Sequence, residues 1–190
     1  MPFRLLGFAG DPDKASNLCG GTFARYAAAG TEVTLVCAAA RGWTGVDRAP
    51  VARLLGAGNL VLLDYGVSEL TDAGLEDVFR DLMRSLRPHV VIAEGSDAVV
   101  RQATTSAFSA ARRMAGGSAA LPAKLYLRPS GGPGRVAVTT AITVPATAAP
   151  ELFVRVFPDP WVTGVLERDL FAGLVADPAS STTLAERLAS

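Results

Sequence analysis

Histidine is almost missing from this chain: His89 is the only one in 190 residues. A metal centre that needs two or more imidazoles is thereby excluded. Cysteine is scarce as well, since Cys19 and Cys37 stand apart with no metal-ligand spacing and read as buried thiols. Neither sign of charge is in surplus: 18 Lys and Arg balance 18 Asp and Glu, so no global field draws the chain to nucleic acid or to an anionic membrane. Long apolar runs are lacking too. Leu60 to Leu63 and Val90 to Ala93 fall far short of the roughly 20 residues that span a bilayer. No basic-then-apolar leader precedes the first strand, and a cytoplasmic protein is the expectation.

What is present is apolar material, 49% of the residues against 19% charged, enough for one domain with a two-sided core. Phe3 to Ala9, Glu32 to Ala39, Leu60 to Asp64 and Val90 to Glu94 are β-branched and apolar on both faces, as buried parallel strands are. Helices are expected between them. Cys19 to Ala29 closes on Gly30, and Ala49 to Leu55 ends near Gly56 and Gly58. Leu75, Val78, Phe79, Leu82, Met83 and Leu86 share one helical face, which Pro88 terminates. A fourth helix carries Val100, Ala103, Thr104, Ala107, Phe108, Ala111 and Ala115 on one stripe of small side chains. Four alternating units with right-handed crossovers predict a single-domain α/β fold, Rossmann-like and doubly wound, with a mostly parallel sheet and helices on both faces. Its crevice belongs at the carboxyl ends of the strands, which places Asp11, Arg41, Asp64 and Ser96 on one rim. Beyond residue 120 the rhythm changes: Lys124 to Leu127 and Arg135 to Val144 flank a turn-rich segment and read as a hairpin. Trp161 to Val175 reads as a last amphipathic helix, so the domain is expected over 1–176 with a tail over 177–190.

One stretch carries more specific information. Gly10-Asp11-Pro12-Asp13-Lys14-Ala15, followed by Cys19-Gly20-Gly21-Thr22, comes directly after the first strand. It resembles the LmbE-like and PIG-L N-acetylglucosaminyl deacetylases, where the first strand runs into His-Pro-Asp-Asp-Glu and a Cys-Gly-Gly-Thr-like turn. Ala40-Arg41-Gly42-Trp43-Thr44-Gly45 is similar to that family's Thr-Arg-Gly-Glu-x-Gly loop, with Trp43 in place of the glutamate. Arg87-Pro88-His89-Val90-Val91 resembles its Arg-Pro-Asp-Val-Val segment, and the family's His-Pro-Asp-His loop corresponds to the region of Asp97-Ala98-Val99-Val100. The resemblance implies an LmbE-like fold and an ancestral hydrolysis of an N-acetyl group on an acetamido sugar conjugate.

In that family two histidines and an aspartate hold zinc, an open position takes water, and a neighbouring aspartate is the general base. By the resemblance Asp13 takes the general-base position, while the three ligand positions hold Asp11, Lys14 and, approximately, Val100. A lysine ammonium repels a divalent cation, so no zinc cofactor is expected and no metal-ligating residue is assigned. Two readings of Lys14 stand side by side: a cation that replaces the metal between Asp11 and Asp13 in a dry crevice, or three solvated loop residues. The remaining residues assigned to substrate binding are Arg41, Trp43 and Asp97, with Trp43 equally able to stack on a sugar ring or to form an aromatic lid over the vacant metal site.

Blander readings apply elsewhere. Gly20-Gly21 serves close packing of helix on strand more readily than a phosphate cradle. His89 reads as a surface histidine at a helix-to-strand joint. Ser96 has neither a Gly-x-Ser-x-Gly elbow nor a second histidine to make it a nucleophile. Three functions follow: a deacetylase relative that has lost its zinc and is non-catalytic or altered, a sugar or sugar-nucleotide binding module, or a structural partner of an active paralogue. The expected partner is a small molecule of acetamido-sugar type, with no nucleic acid or membrane, and a homo-oligomer is compatible with the chain.

Overall fold

The computed structural model describes residues 2–42, 58–115, 121–128, 139–142, 151–157, 166–167, 169–172 and 174. The chain opens with β1 (Arg4–Ala9), α1 (Pro12–Ala28), β2 (Glu32–Cys37) and β3 (Asn59–Leu62). A 3-10 turn over Val67–Glu69 leads into α2 (Asp72–Leu86), β4 (Val90–Glu94), α3 (Ala98–Ala115) and β5 (Lys124–Arg128). β6 (Thr139–Ile142), β7 (Glu151–Phe157) and β8 (Leu166–Glu167) follow. All join one sheet in the order β3-β2-β1-β4-β5-β7-β6-β8. β1 to β5 are mutually parallel, and β7 alone runs against its neighbours.

The sheet is covered on both faces because its strands are apolar on both faces. On one side Leu5, Ala9, Leu35 and Ile92 pack under Ala15, Phe23 and Tyr26 of α1. On the other, Leu6, Phe8, Val36 and Val91 meet Leu75, Phe79 and Met83 of α2 and Val100, Ala103, Ala107 and Phe108 of α3. The two sequence stripes are thus the buried stripes, and Ala115 alone of the fourth-helix set is exposed. α1 approaches β1 so closely that a Cβ at Gly7 would run into the Phe23 ring. Gly7, on the strand, thus permits tight helix-on-strand packing.

Several expectations need correction. α1 begins at Pro12, well before Cys19, because Asp11 accepts the Lys14 backbone N–H at 2.8 Å and proline occupies the first turn. Gly20-Gly21 consequently lies inside a helix, where no free N–H groups exist to cradle a phosphate. The hairpin of β5 with β6 does not form: β7, which pairs antiparallel with both, is inserted between them. In the segment expected as a last helix, Leu166–Glu167 instead pair with β6 as β8, and residues 170–172 form a turn. The turn is fixed by long-range bonds that no local pattern announces, since the Leu170 N–H donates to the Tyr26 hydroxyl and Tyr26 donates to Asp169, both at 2.8 Å. His89, expected on the surface, is 2% exposed, because the Arg4 N–H donates to its Nδ1 at 3.1 Å and Phe3 packs edge-on against it. The expected helix over Ala49 to Leu55, the outer parts of Arg135 to Val144 and of Trp161 to Val175, and the tail lie outside the described residues. Among the described residues no helix is long and apolar enough to cross a membrane.

Candidate functional site

β1 and β4 are adjacent, yet the chain leaves them in opposite directions: β1 continues through α1 to β2 on one side, and β4 through α3 to β5 on the other. This reversal opens a crevice at their carboxyl ends, where α1 and α3 both begin. Each helix start is capped by an aspartate. Asp11 caps α1, and the Asp97 carboxylate accepts the N–H groups of Val99 at 3.0 Å and Val100 at 3.1 Å. The geometry of the fold thus forces two carboxylates to the mouth of one crevice.

Lys14, one turn into α1, reaches back over that mouth. Its Nζ lies 3.3 Å from Asp11 Oδ2 and 3.6 Å from Asp97 Oδ2. Beneath them Glu94, at the end of β4 and 5% exposed, accepts the Gly10 N–H at 2.9 Å and the Ser96 hydroxyl. Gly10 fits closely here: a Cβ would sit 3.0 Å from Asp97 Oδ2 and 3.3 Å from Glu94 Oε2, so either carboxylate would have to give way by a few tenths of an ångström. Burial acts to lower the Lys14 pKa, but the hydrogen bond to Asp11 and the charges of Asp11, Glu94 and Asp97 outweigh it and raise the pKa overall. Lys14 is therefore an ammonium. At 47% exposure, with Asp11 at 22% and Asp97 at 19%, the cluster is half-wet, between the dry-crevice reading and the solvated-loop reading. Cys37, the neighbour of Ala9 on β2, forms part of the floor. Its thiol is pushed up to about 12, by burial first and then by the negative charges of Asp11 and Glu94, so it stays protonated.

Arg41 stands at the same edge but belongs to another group. Its guanidinium donates to Glu69 and, at 2.9 Å, to the Asp64 carbonyl, and its Nε lies 3.7 Å from the Asp64 carboxylate. The bond to Glu69 raises the Arg41 pKa and lowers that of Glu69. Arg41 thereby ties the loop after β2 to the loop after β3. Ser96, the other residue placed on this rim, has a carboxylate rather than an imidazole as its partner. Val100 faces the core, fully buried. The Asp13 side chain and all of Trp43 lie outside the described residues. Glu94 is the site residue that sequence reasoning passed over. Its signal was a carboxylate closing an otherwise apolar buried strand, which is costly unless something at the strand end receives it. Among the described residues, no group of three or more His, Cys, Asp or Glu side chains could hold a metal ion.

A doubly wound sheet with a charged crevice at its switch point defines a broad class of α/β proteins. Comparison with solved structures narrows it: the fold is LmbE-like. The conserved protein TT1542 from Thermus thermophilus superposes with a TM-score of 0.59 at 24% identity, over 72% of this chain and 70% of that one. The N,N'-diacetylchitobiose deacetylase of Pyrococcus horikoshii matches with a TM-score of 0.50 at 19% identity, covering 65% of this chain and 59% of its own. The 4-carboxy-2-hydroxymuconate hydratase GalB from Pseudomonas putida matches with 0.52 at 18% identity, over 66% and 65%. A deacetylase and a hydratase thus share this scaffold, and the fold does not fix the reaction. No family model matches the chain, and no curated protein matches it.

Proposed function

We propose that the crevice between β1 and β4 binds a neutral, hydroxyl-rich small molecule of the acetamido-sugar type without zinc, with Lys14 supplying the positive charge at its mouth. The observation that carries this reading is the seating of the Lys14 ammonium on Asp11 and Asp97. By the resemblance, the positions corresponding to the deacetylases' zinc ligands are Asp11, Lys14 and, approximately, Val100. Of these only Asp11 offers a donor, because a protonated lysine has no lone pair and Val100 is apolar and buried. The zinc of the deacetylases does not fit this donor set. Half-exposed Lys14 and the partly buried Asp11 and Asp97 instead offer one cationic donor group and two acceptors side by side, a pattern suited to sugar hydroxyls and an amide. The charges of Asp11, Glu94 and Asp97 are only partly offset by Lys14 and by the positive ends of α1 and α3, roughly half a charge each, so about one negative charge remains and a neutral ligand is favoured over an anionic one. Without a metal-held water the crevice binds rather than hydrolyses an N-acetyl group.

Calorimetric titration of the purified chain with N-acetylglucosamine and N,N'-diacetylchitobiose, beside elemental analysis and a deacetylation assay, tests the reading. Binding that is lost in Lys14→Met, without stoichiometric zinc and without acetate release, is expected. About one zinc per chain, removed by a chelator together with a hydrolytic activity, overturns it.

A further inference from the structure

We infer that His89 is an acid-sensitive latch on the amino edge of the sheet: the folded chain holds its imidazole neutral, and protonation loosens the grip on residues 169–172. The Arg4 N–H donates to His89 Nδ1 at 3.1 Å, so that nitrogen must carry a lone pair. An imidazolium has two N–H donors and no acceptor. Protonation would therefore set two N–H groups against each other at a residue only 2% exposed, where solvent cannot take over the bond.

The backbone of the same residue joins three strands. Its N–H donates to the Arg4 carbonyl at 2.9 Å, and its carbonyl accepts from Ala123 at 2.9 Å and Lys124 at 3.2 Å. The ring then hands contact outward through aromatic neighbours. Phe3 meets His89 edge-on at 5.2 Å between centroids, stacks on Phe171 at 4.6 Å, and Phe171 meets Tyr26 edge-on at 5.2 Å. Tyr26 receives the Leu170 N–H and bonds Asp169, which also accepts the Phe171 N–H at 3.0 Å. Among the described residues, the charged groups around this edge include Arg4 on β1, Arg87 closing α2, Lys124 on β5, Glu32 on β2 and Asp169 in the turn. Arg4 and Lys124 are both 5% exposed, so a new positive charge joins a region already crowded with buried cations.

The sign follows directly. The native state disfavours the charged ring, so the contribution of His89 is complete above the ordinary imidazole value of about 6.5 and declines as the pH falls. If the native ring stays neutral, the folding constant drops about tenfold between pH 7.5 and 5.5. No other histidine exists to blur that window. Unfolding by urea at both pH values is expected to show this loss in the wild type and none in His89→Asn, whose amide oxygen can accept the Arg4 N–H but does not titrate. Equal pH dependence in the two proteins overturns the inference. Should the variant fail to fold, imidazole NMR shifts and amide exchange of wild-type Leu170 and Phe171 decide it. A ring that stays neutral to about pH 5.5, with exchange of those amides rising beyond the intrinsic rate as acid opens the turn, is expected. A ring that titrates near about 6.5 in the folded state with unchanged protection overturns it.

Discussion

The two ends of the same sheet handle charge in opposite ways. At the amino edge, Arg4 Nε donates to the Arg87 carbonyl and Lys124 Nζ to the Ala172 carbonyl, both at 2.7 Å, both residues are buried, and the rings of Phe3 and Phe171, next to Arg4 and Ala172 in the chain, stack on each other. At the carboxyl edge, Lys14 faces carboxylates and remains half-exposed. Cations that end on fixed backbone carbonyls under a hydrophobic cover help to set the fold, because leaving those carbonyls unbonded in a buried region is costly. Charges that face one another across an open mouth contribute little to stability and leave donors and acceptors within reach of a ligand. The contrast separates what holds the molecule together from what meets its surroundings.

Substitutions at the two ends test that separation. Phe171→Ala at the amino edge removes a ring stacked on Phe3 and 4% exposed, and is expected to cost about 3 kcal/mol of folding free energy in a urea titration. Gly10→Ala at the carboxyl edge pushes a methyl to within 3.0 Å of Asp97 Oδ2 and should cost about 1–3 kcal/mol while abolishing ligand binding. A fully stable Gly10→Ala protein would mean that the carboxylates can move apart. Lys14→Met is expected to change stability by less than about 1 kcal/mol, since solvent screens the half-exposed pair. Because the Lys14 pKa is raised, that small contribution is complete below its ordinary value of about 10.4 and is lost as the pH climbs above it. A larger loss at neutral pH would place Lys14 with the fold-setting cations and erase the contrast. The smallest effect is reserved for Arg41→Ala, whose urea midpoint should match the wild type, because the guanidinium is exposed and its partners Asp64 and Glu69 are free to hydrate.

What the sequence disclosed follows the same line. β1 to β4 and the stripes of α2 and α3 were legible because periodicity of apolar residues is a local property of the chain. So was the position of Asp11 and Asp97, since the residue after a parallel strand and before a helix must lie at the carboxyl edge. Their meeting with Lys14 and Glu94 was not, because it depends on β1 and β4 being neighbours although 84 positions separate Gly10 from Glu94. The start of α1 at Pro12 is written in the Asp11-Pro12 pair, an N-cap carboxylate followed by proline in the first turn, whereas the apolar pattern strengthens only beyond Cys19. Glu151 to Phe157 has a strand composition of its own, with Val154 and Val156 flanking Arg155, but nothing local tells which strands it will part. His89 was misplaced for a related reason. A polar residue after Pro88 looks exposed until Arg4, 85 positions away, provides its partner.

The insertion of β7 bears on how the chain is made. During synthesis β5 is complete at residue 128 and β6 at residue 142, but the strand that belongs between them ends only at residue 157. Until then the outer edge of β5 presents unpaired backbone groups beside an otherwise finished parallel half-sheet, a template for any other nascent or misfolded strand. A ribosome-arrested or proteolytically shortened chain that stops before β7 should therefore aggregate through that edge, whereas one carrying β7 has the edge covered.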